Sequence, residues 1–145
     1  MNGKFKHRRT LFICAFFCVI LSSCAKTKFD DLTFNESDRT EDVIAFKNEE
    51  FFKGTAWAKD GKSAKITTNE MGAVLDVTIY YPNGQECIFG TICTGGEYNY
   101  PNYRYYDKEG NPMNEEHWEN SPCGEYAFQI FEFYLPEIIQ EHFFD

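Results

Sequence analysis

Residues 73–93, AVLDVTIYYPNGQECIFGTIC, decide the fold. Two runs rich in β-branched residues flank Asn83-Gly84, the strongest short-range signal of a β-hairpin. A two-residue type I′ turn requires positive φ at both central positions, and Asn followed by Gly adopts it at least cost. Such a loop sets the register: Pro82 faces Gln85, Ile79 faces Ile88 and Leu75 faces Ile92. One face collects Leu75, Val77, Ile79, Tyr81, Ile88 and Ile92 and is a core face. The other carries Asp76, Thr78, Tyr80, Cys87 and Phe89 and is mixed.

The corner of this hairpin has two echoes. An aromatic, three residues, Gly and a polar residue recur at 57–62 (WAKDGK), 80–85 (YYPNGQ) and 106–111 (YDKEGN). One hairpin per copy predicts stacked units that bury their faces against one another. The core YYPNGQ resembles the bacterial, antitoxin-like variant of MORN repeats, which are short β-hairpin units, over about residues 52–113. That resemblance implies an extended sheet used for protein contacts or membrane-proximal scaffolding, without catalysis. The segment 94–104 and the Phe-rich C-terminus depart from a regular array.

Outward from the hairpin, Val43–Trp57 fits neither a helical nor a strand period, with a strand expected to enter at Phe51. Residues 64–68 form a short strand, 69–72 a turn, and 103–106 a strand leading to the turn at 108–111. Residues 126–134 (YAFQIFEFY) read as a strand of β-formers, although Phe128, Phe131, Leu135, Ile138 and His142 also trace a helical stripe. Pro136 opens a C-terminal helix over 136–144. The fold class is mainly β: an antiparallel sheet of consecutive hairpins with a short C-terminal helix.

At the N-terminus, Lys4, Lys6, Arg8 and Arg9 precede an apolar run from Leu11 to Leu21, too short to cross a bilayer, which takes about 20 residues. The run ends in Leu21-Ser22-Ser23-Cys24, which resembles the bacterial lipobox. The resemblance implies acylation of the Cys24 thiol, removal of residues 1–23, and a protein held on a membrane by its lipid. Ala25 and Lys26 stand where enteric-type sorting places the Asp that retains lipoproteins in the inner membrane, which implies the outer membrane of a bacterial cell envelope. Residues 24–42, polar and poor in aliphatics, read as a flexible tether before a single domain spanning 43–145.

Without residues 1–23, 10 of the 14 Lys and Arg remain against all 23 Asp and Glu, a formal charge of −13. Such a surface repels phosphates and lipid headgroups, which argues against nucleic-acid binding and against an electrostatic membrane contact. Cys87, Cys93 and Cys123 remain for an oxidising compartment. On one extended strand Cys87 and Cys93 lie roughly 20 Å apart, whereas bonded cysteines need Cα atoms within about 7 Å. The favoured disulfide is therefore Cys93–Cys123, with Cys87–Cys123 as the alternative.

Chemistry-bearing constellations are sparse. His117 and His142 lie without a second ligand at metal spacing, no CxxC pair is present, and no GxSxG, P-loop, HExxH or EF-hand pattern occurs. No metal or cofactor is expected. Glu115 and Glu119 lie one helical turn apart at best, weak support for a glycan hydrolase. Tyr98, Tyr100, Tyr103, Arg104, Tyr105 and Tyr106 share a composition with recognition surfaces, suited to a protein or a glycan. The expectation is a lipid-anchored, non-catalytic binding or scaffolding module. The alternative is an inhibitor or immunity protein whose acidic surface neutralises a partner enzyme or toxin.

Overall fold

The computed structural model describes residues 25–92 and 102–143. The mainly β expectation holds. Among the described residues, ten strands precede three α-helices, with a single 3-10 turn at Phe29–Asp31 between the first two strands. The strands are β1 (Thr27–Lys28), β2 (Thr33–Glu36), β3 (Val43–Lys47), β4 (Glu50–Phe51), β5 (Gly54–Trp57), β6 (Ala64–Thr68), β7 (Val74–Tyr80), β8 (Glu86–Thr91), β9 (Tyr103–Tyr106) and β10 (Pro112–Met113). The helices are α1 (Glu115–Glu119), α2 (Pro122–Tyr134) and α3 (Glu137–Phe143). Seven strands form one sheet in the order β1-β5-β6-β7-β8-β9-β10, and three form a second, β2-β3-β4. Every pairing is antiparallel except β1 with β5.

From β5 to β8, and again from β9 to β10, the chain folds back on itself through turns of one design. In each, a glycine N–H donates to the carbonyl three residues earlier: Gly61 to Ala58 (2.8 Å), Gly72 to Asn69 (3.1 Å), Gly84 to Tyr81 (2.9 Å) and Gly110 to Asp107 (3.0 Å). An Asp or Asn oxygen in each turn, on Asp60, Asn69, Asn83 or Asp107, accepts from a backbone N–H two residues on. That is the Asx geometry expected of these residues.

The central corner differs from its predicted geometry. Among the described residues Asn83 is not one with positive φ; Gly84 is, at 84°. Pro82, with φ fixed near −65°, suits the first central place of a type I turn, and Gly84 closes it in the left-handed region. Tyr81, rather than Pro82, therefore faces Gln85, through a 2.8 Å N–H···O bond. A bulge beside Tyr80 then restores the predicted register. Tyr80 pairs with Glu86 but Ile79 pairs with Ile88, and Ile92 N–H donates to Leu75. The extra residue is Cys87, which turns from the mixed face into the core. Type I′ geometry lies elsewhere: Asn48 and Glu49 have φ of 53° and 68° and join β3 to β4.

Two expectations are corrected. Residues 27–42 are not a tether but part of the domain, whose folded boundary moves from residue 43 to about residue 26. Thr27–Lys28 extends the large sheet beside Ala56 and Trp57, Phe29 and Leu32 are buried, and Thr33–Glu36 pairs along β3. Residues 126–134 are helical, not extended. Ser121 caps α2, its Oγ accepting from Cys123 N–H at 3.2 Å, and Pro122 stands in the first turn, where a missing N–H costs nothing. The α3 helix follows Pro136 as expected.

The core lies between the large sheet and the helices. Ala56, Ile66 and Val77 form one inward row, and Ala64, Ile79, Ile88 and Tyr105 form another. Trp118, Phe131, Ile139 and Phe143 cover them from the helical side. Burying a large apolar side chain contributes roughly 1.5–3 kcal/mol. Gly124 lets α2 start against α1: a Cβ there would sit 2.7 Å from the Trp118 carbonyl oxygen.

Candidate functional site

The open face of the large sheet carries a row in register across six strands: Lys28, Trp57, Lys65, Thr78, Phe89 and Arg104. Neighbouring strands lie about 4.8 Å apart, so cation and ring meet at side-chain contact distance on either side of Thr78, which its neighbours bury. Lys26 Nζ sits 3.9 Å from the Trp57 ring centroid, and Lys65 Nζ lies 5.7 Å from Trp57 and 5.5 Å from Tyr80. The Arg104 guanidinium lies 4.2 Å over Phe89. Trp57 and Tyr80, leading aromatics of two of the recurring turns, stack at 5.9 Å. Cations over ring faces are attracted by about 0.5–1 kcal/mol at exposed sites.

The basic side chains concentrate at the β1 end of this face. Lys26 Nζ donates to the Gly61 carbonyl at 2.7 Å, and Lys28 Nζ occupies the space beside Gly61, 2.5 Å from where a Cβ would sit. Lys62 follows that glycine, and Lys47 Nζ donates to Thr27 at 3.2 Å. No ion pair among the described residues joins these five lysines, Lys65 included, to a carboxylate. The helical side is the reverse: from Glu109 to Asp145 the sequence carries nine Asp and Glu and no Lys or Arg. The formal charge of the whole conceals a basic strand edge and an acidic helical layer on opposite sides of one sheet.

The predicted tyrosine surface is divided by strand alternation. Tyr103 and Tyr105 point into the core. Tyr105 packs on Trp118 at 4.9 Å between centroids and donates its hydroxyl to Glu115 at 2.8 Å. The Tyr103 hydroxyl donates to the Phe143 carbonyl, and its ring lies where a Gly90 Cβ would be. Arg104 and Tyr106 face the other way; Tyr98 and Tyr100 lie outside the described residues. A contiguous Tyr98–Tyr106 contact surface is therefore not available, because two of its members hold the helices.

The other predicted positions resolve as follows. Cys24 and Cys93 lie outside the described residues, and Cys87 and Cys123 are free thiols. Cys87 is buried beside Tyr81 and α2, its thiol donating to the Cys123 carbonyl at 3.7 Å. Burial pushes the Cys87 thiol up to about 11, so it is protonated at neutral pH and no nucleophile. Glu115 accepts the Tyr105 hydroxyl at 2.8 Å, which ties α1 to β9. His117 is exposed on α1, its N–H capped by Asn114. His142 is partly buried, Nδ1 2.8 Å from the Ile138 carbonyl and Nε2 3.7 Å from Glu36, and ties α3 to β2. Among the described residues no three metal-binding side chains converge, and no helix is long and apolar enough to cross a membrane.

One feature is not foreseen from the sequence. A groove of about 560 Å³ opens between the small sheet and the 69–73 turn, lined by Phe46, Phe51, Met71 and the buried Asp42 and rimmed by the exposed Asp38 and Arg39. Phe51 and Met71 are 53% and 63% exposed. These two side chains carry the sequence signal, but the rim lies in residues whose composition is that of a tether.

A comparison with protein-family models finds no family that matches the chain, and comparisons with curated proteins and with solved structures find no match either.

Proposed function

We propose that this chain is a lipid-anchored, non-catalytic binding module of a bacterial cell envelope, attached through Cys24 and resident at the outer membrane. The observation that carries the reading is the short passage from anchor to fold. Ala25 and Lys26 alone separate Cys24 from the first strand, and Lys26 is already fastened to Trp57 and Gly61. An acylated Cys24 would hold such a domain against the lipid surface, since each buried CH₂ contributes about 0.8 kcal/mol. The groove beside Phe51 and Met71 is the surface offered to a protein partner, because it combines exposed apolar side chains with a polar rim. Metabolic labelling with a palmitate analogue tests the anchor: label on the wild type that is absent from Cys24→Ser supports it, and an unlabelled wild type overturns it.

A second reading, an inhibitor or immunity protein, draws on the acidic helical layer. Seven Glu residues on α1, α2 and α3 with no intervening cation suit a basic partner enzyme. Capture of a basic protein that is lost in a Glu116→Lys, Glu125→Lys variant would favour it over the groove.

A further inference from the structure

The mature chain is strongly acidic, yet the surface nearest its attachment point is basic. We propose that the face formed by Lys26, Lys28, Lys62 and Lys65 around Trp57 docks on the anionic headgroups of the membrane that bears the anchor. The inference rests on the reading of Cys24 as the lipidated residue, and it names what the anchored domain touches.

Three observations converge on this occupant. The first is the entry of the chain. With about 3.6 Å per extended residue, Cys24 lies within roughly 8 Å of the Lys26 backbone, and the Lys26 ammonium rests on Trp57. Acyl chains on Cys24 would bring the bilayer surface close to this face.

The second is charge. The four lysines gather about Gly61 and Trp57 and pair with no carboxylate among the described residues. Three carboxylates lie beside these four lysines and keep their charge: Asp31, Asp60 and Asp76, the last near Lys65 and accepting the Thr67 hydroxyl at 2.5 Å. Asp60 accepts the N–H groups of Lys62 and Ser63 at 3.0 Å, and Asp31 accepts that of Lys28 at 2.9 Å. The helices α1, α2 and α3 with their acidic residues pack against the other face of the sheet, and attraction or repulsion between exposed charges is screened over a Debye length of about 8 Å at physiological salt. Lysines near an anionic leaflet are attracted individually and additively. This reverses the argument from net charge, which assumes that the charge is spread evenly.

The third is Trp57. An amphipathic ring on a sheet face, half-exposed and bracketed by ammonium groups, suits the depth at which headgroups meet acyl chains. Trp118 is the other tryptophan of the chain and is fully buried, so a change in tryptophan emission on docking reports Trp57.

The test uses the mature chain with Cys24→Ser, which removes the acyl contribution, and vesicles of phosphatidylcholine with or without about one third phosphatidylglycerol. The expected result is co-sedimentation with the anionic vesicles alone, weakened by raising salt from about 50 to 300 mM. Trp57 emission should shift to the blue and lose access to aqueous iodide. The Lys62→Gln, Lys65→Gln pair should bind at least about tenfold more weakly. Lys108→Gln, which removes one charge at the far end of the sheet, should bind as the parent does. Unchanged melting temperatures for all variants establish that binding and not folding has been altered. Equal binding to both vesicle types, or equal losses from Lys108→Gln and the Lys62 and Lys65 pair, overturns the proposal. Failure here with palmitate label intact on Cys24 removes the docking face and leaves the anchor standing.

Discussion

The Tyr81 hydroxyl donates to the main-chain carbonyl of Tyr106 at 2.7 Å, across 25 residues of sequence. Each residue is the second tyrosine of a Tyr-Tyr pair that leads into a turn, but Tyr81 stands three residues before its glycine and Tyr106 four, so the bond joins two like corners one residue out of step. Asn83 adds a second tie, its Nδ2 donating to the Lys108 carbonyl at 2.9 Å, and the Gln85 side chain covers Gly110. Tyr81→Phe keeps the ring in the core and removes the donor, leaving a partly buried carbonyl without its partner. The expected cost is about 1–3 kcal/mol, read from urea unfolding as a lower midpoint at constant slope. A change below about 0.5 kcal/mol would mean that water replaces the tyrosine.

Two glycines separate the effect of backbone conformation from that of space. Gly84 has a φ of 84°, and a Cβ added there would meet nothing within 4 Å, so Gly84→Ala should cost only the left-handed penalty, about 1–2 kcal/mol. Gly90 lies in an ordinary strand, but a Cβ there would fall 2.5 Å from the Tyr103 ring and 2.7 Å from Phe143. Gly90→Ala should cost about 1–3 kcal/mol by overpacking, and it should also loosen α3, which Tyr103 and Phe143 hold to the sheet. Hydrogen exchange distinguishes them: Gly90→Ala lowers protection in α3, and Gly84→Ala does not.

The division between what is legible in the sequence and what is not follows the range of the forces involved. Alternation in Leu75, Val77 and Ile79 marks the core face, because burial of one side of a sheet imposes a period of two on the sequence. The turn type is obscured by Pro82, which moves the corner back by one residue, and the bulge at Cys87 cancels that shift. The helix over 122–134 is hidden by local β-propensity. What overrides it is the need to cover the inward face of the sheet, met by Ala127, Phe131 and Leu135 at intervals of one helical turn. The tyrosines between 98 and 106 show a composition but not a direction. The row from Lys28 to Arg104 is invisible in the sequence, since only the pairing of five strand interfaces brings its members together.

Stability at alkaline pH follows from the buried thiol. The Cys87 thiol ionises near 9.0 in the unfolded chain and near about 11 when folded, burial being the main cause. Because the folded value is the higher, its contribution is fully present below pH 9 and is lost as pH rises toward 11. The unfolded chain releases its proton first and gains free energy at up to about 1.4 kcal/mol per pH unit. Tyr126, raised by burial from 10.0 to about 12, adds a second loss above pH 10. Urea midpoints measured from pH 8 to 11 should therefore fall steeply, and Cys87→Ala, whatever its cost at pH 7, should show a shallower fall. Identical slopes in the two proteins would place the titrating group elsewhere.

Phe29 tests whether residues 27–42 belong to the domain. Its side chain is buried beside the C-terminal end of α2, in a stretch whose polar neighbours suggest a linker. In a flexible tether Phe29→Ala would leave stability untouched, since the side chain is solvated whether the domain is folded or not. Here the substitution removes a ring from the core and leaves a cavity between the small sheet and α2, for which large-to-small changes cost about 3–5 kcal/mol. That is a large share of the roughly 5–15 kcal/mol typical of a whole domain. Thermal unfolding should show a melting temperature lowered by several degrees or more, with the transition still single and cooperative. Limited proteolysis gives an independent reading. The wild type should resist cleavage at Lys28 and Arg39, and the variant should be cut at both well before the remainder of the sheet is attacked.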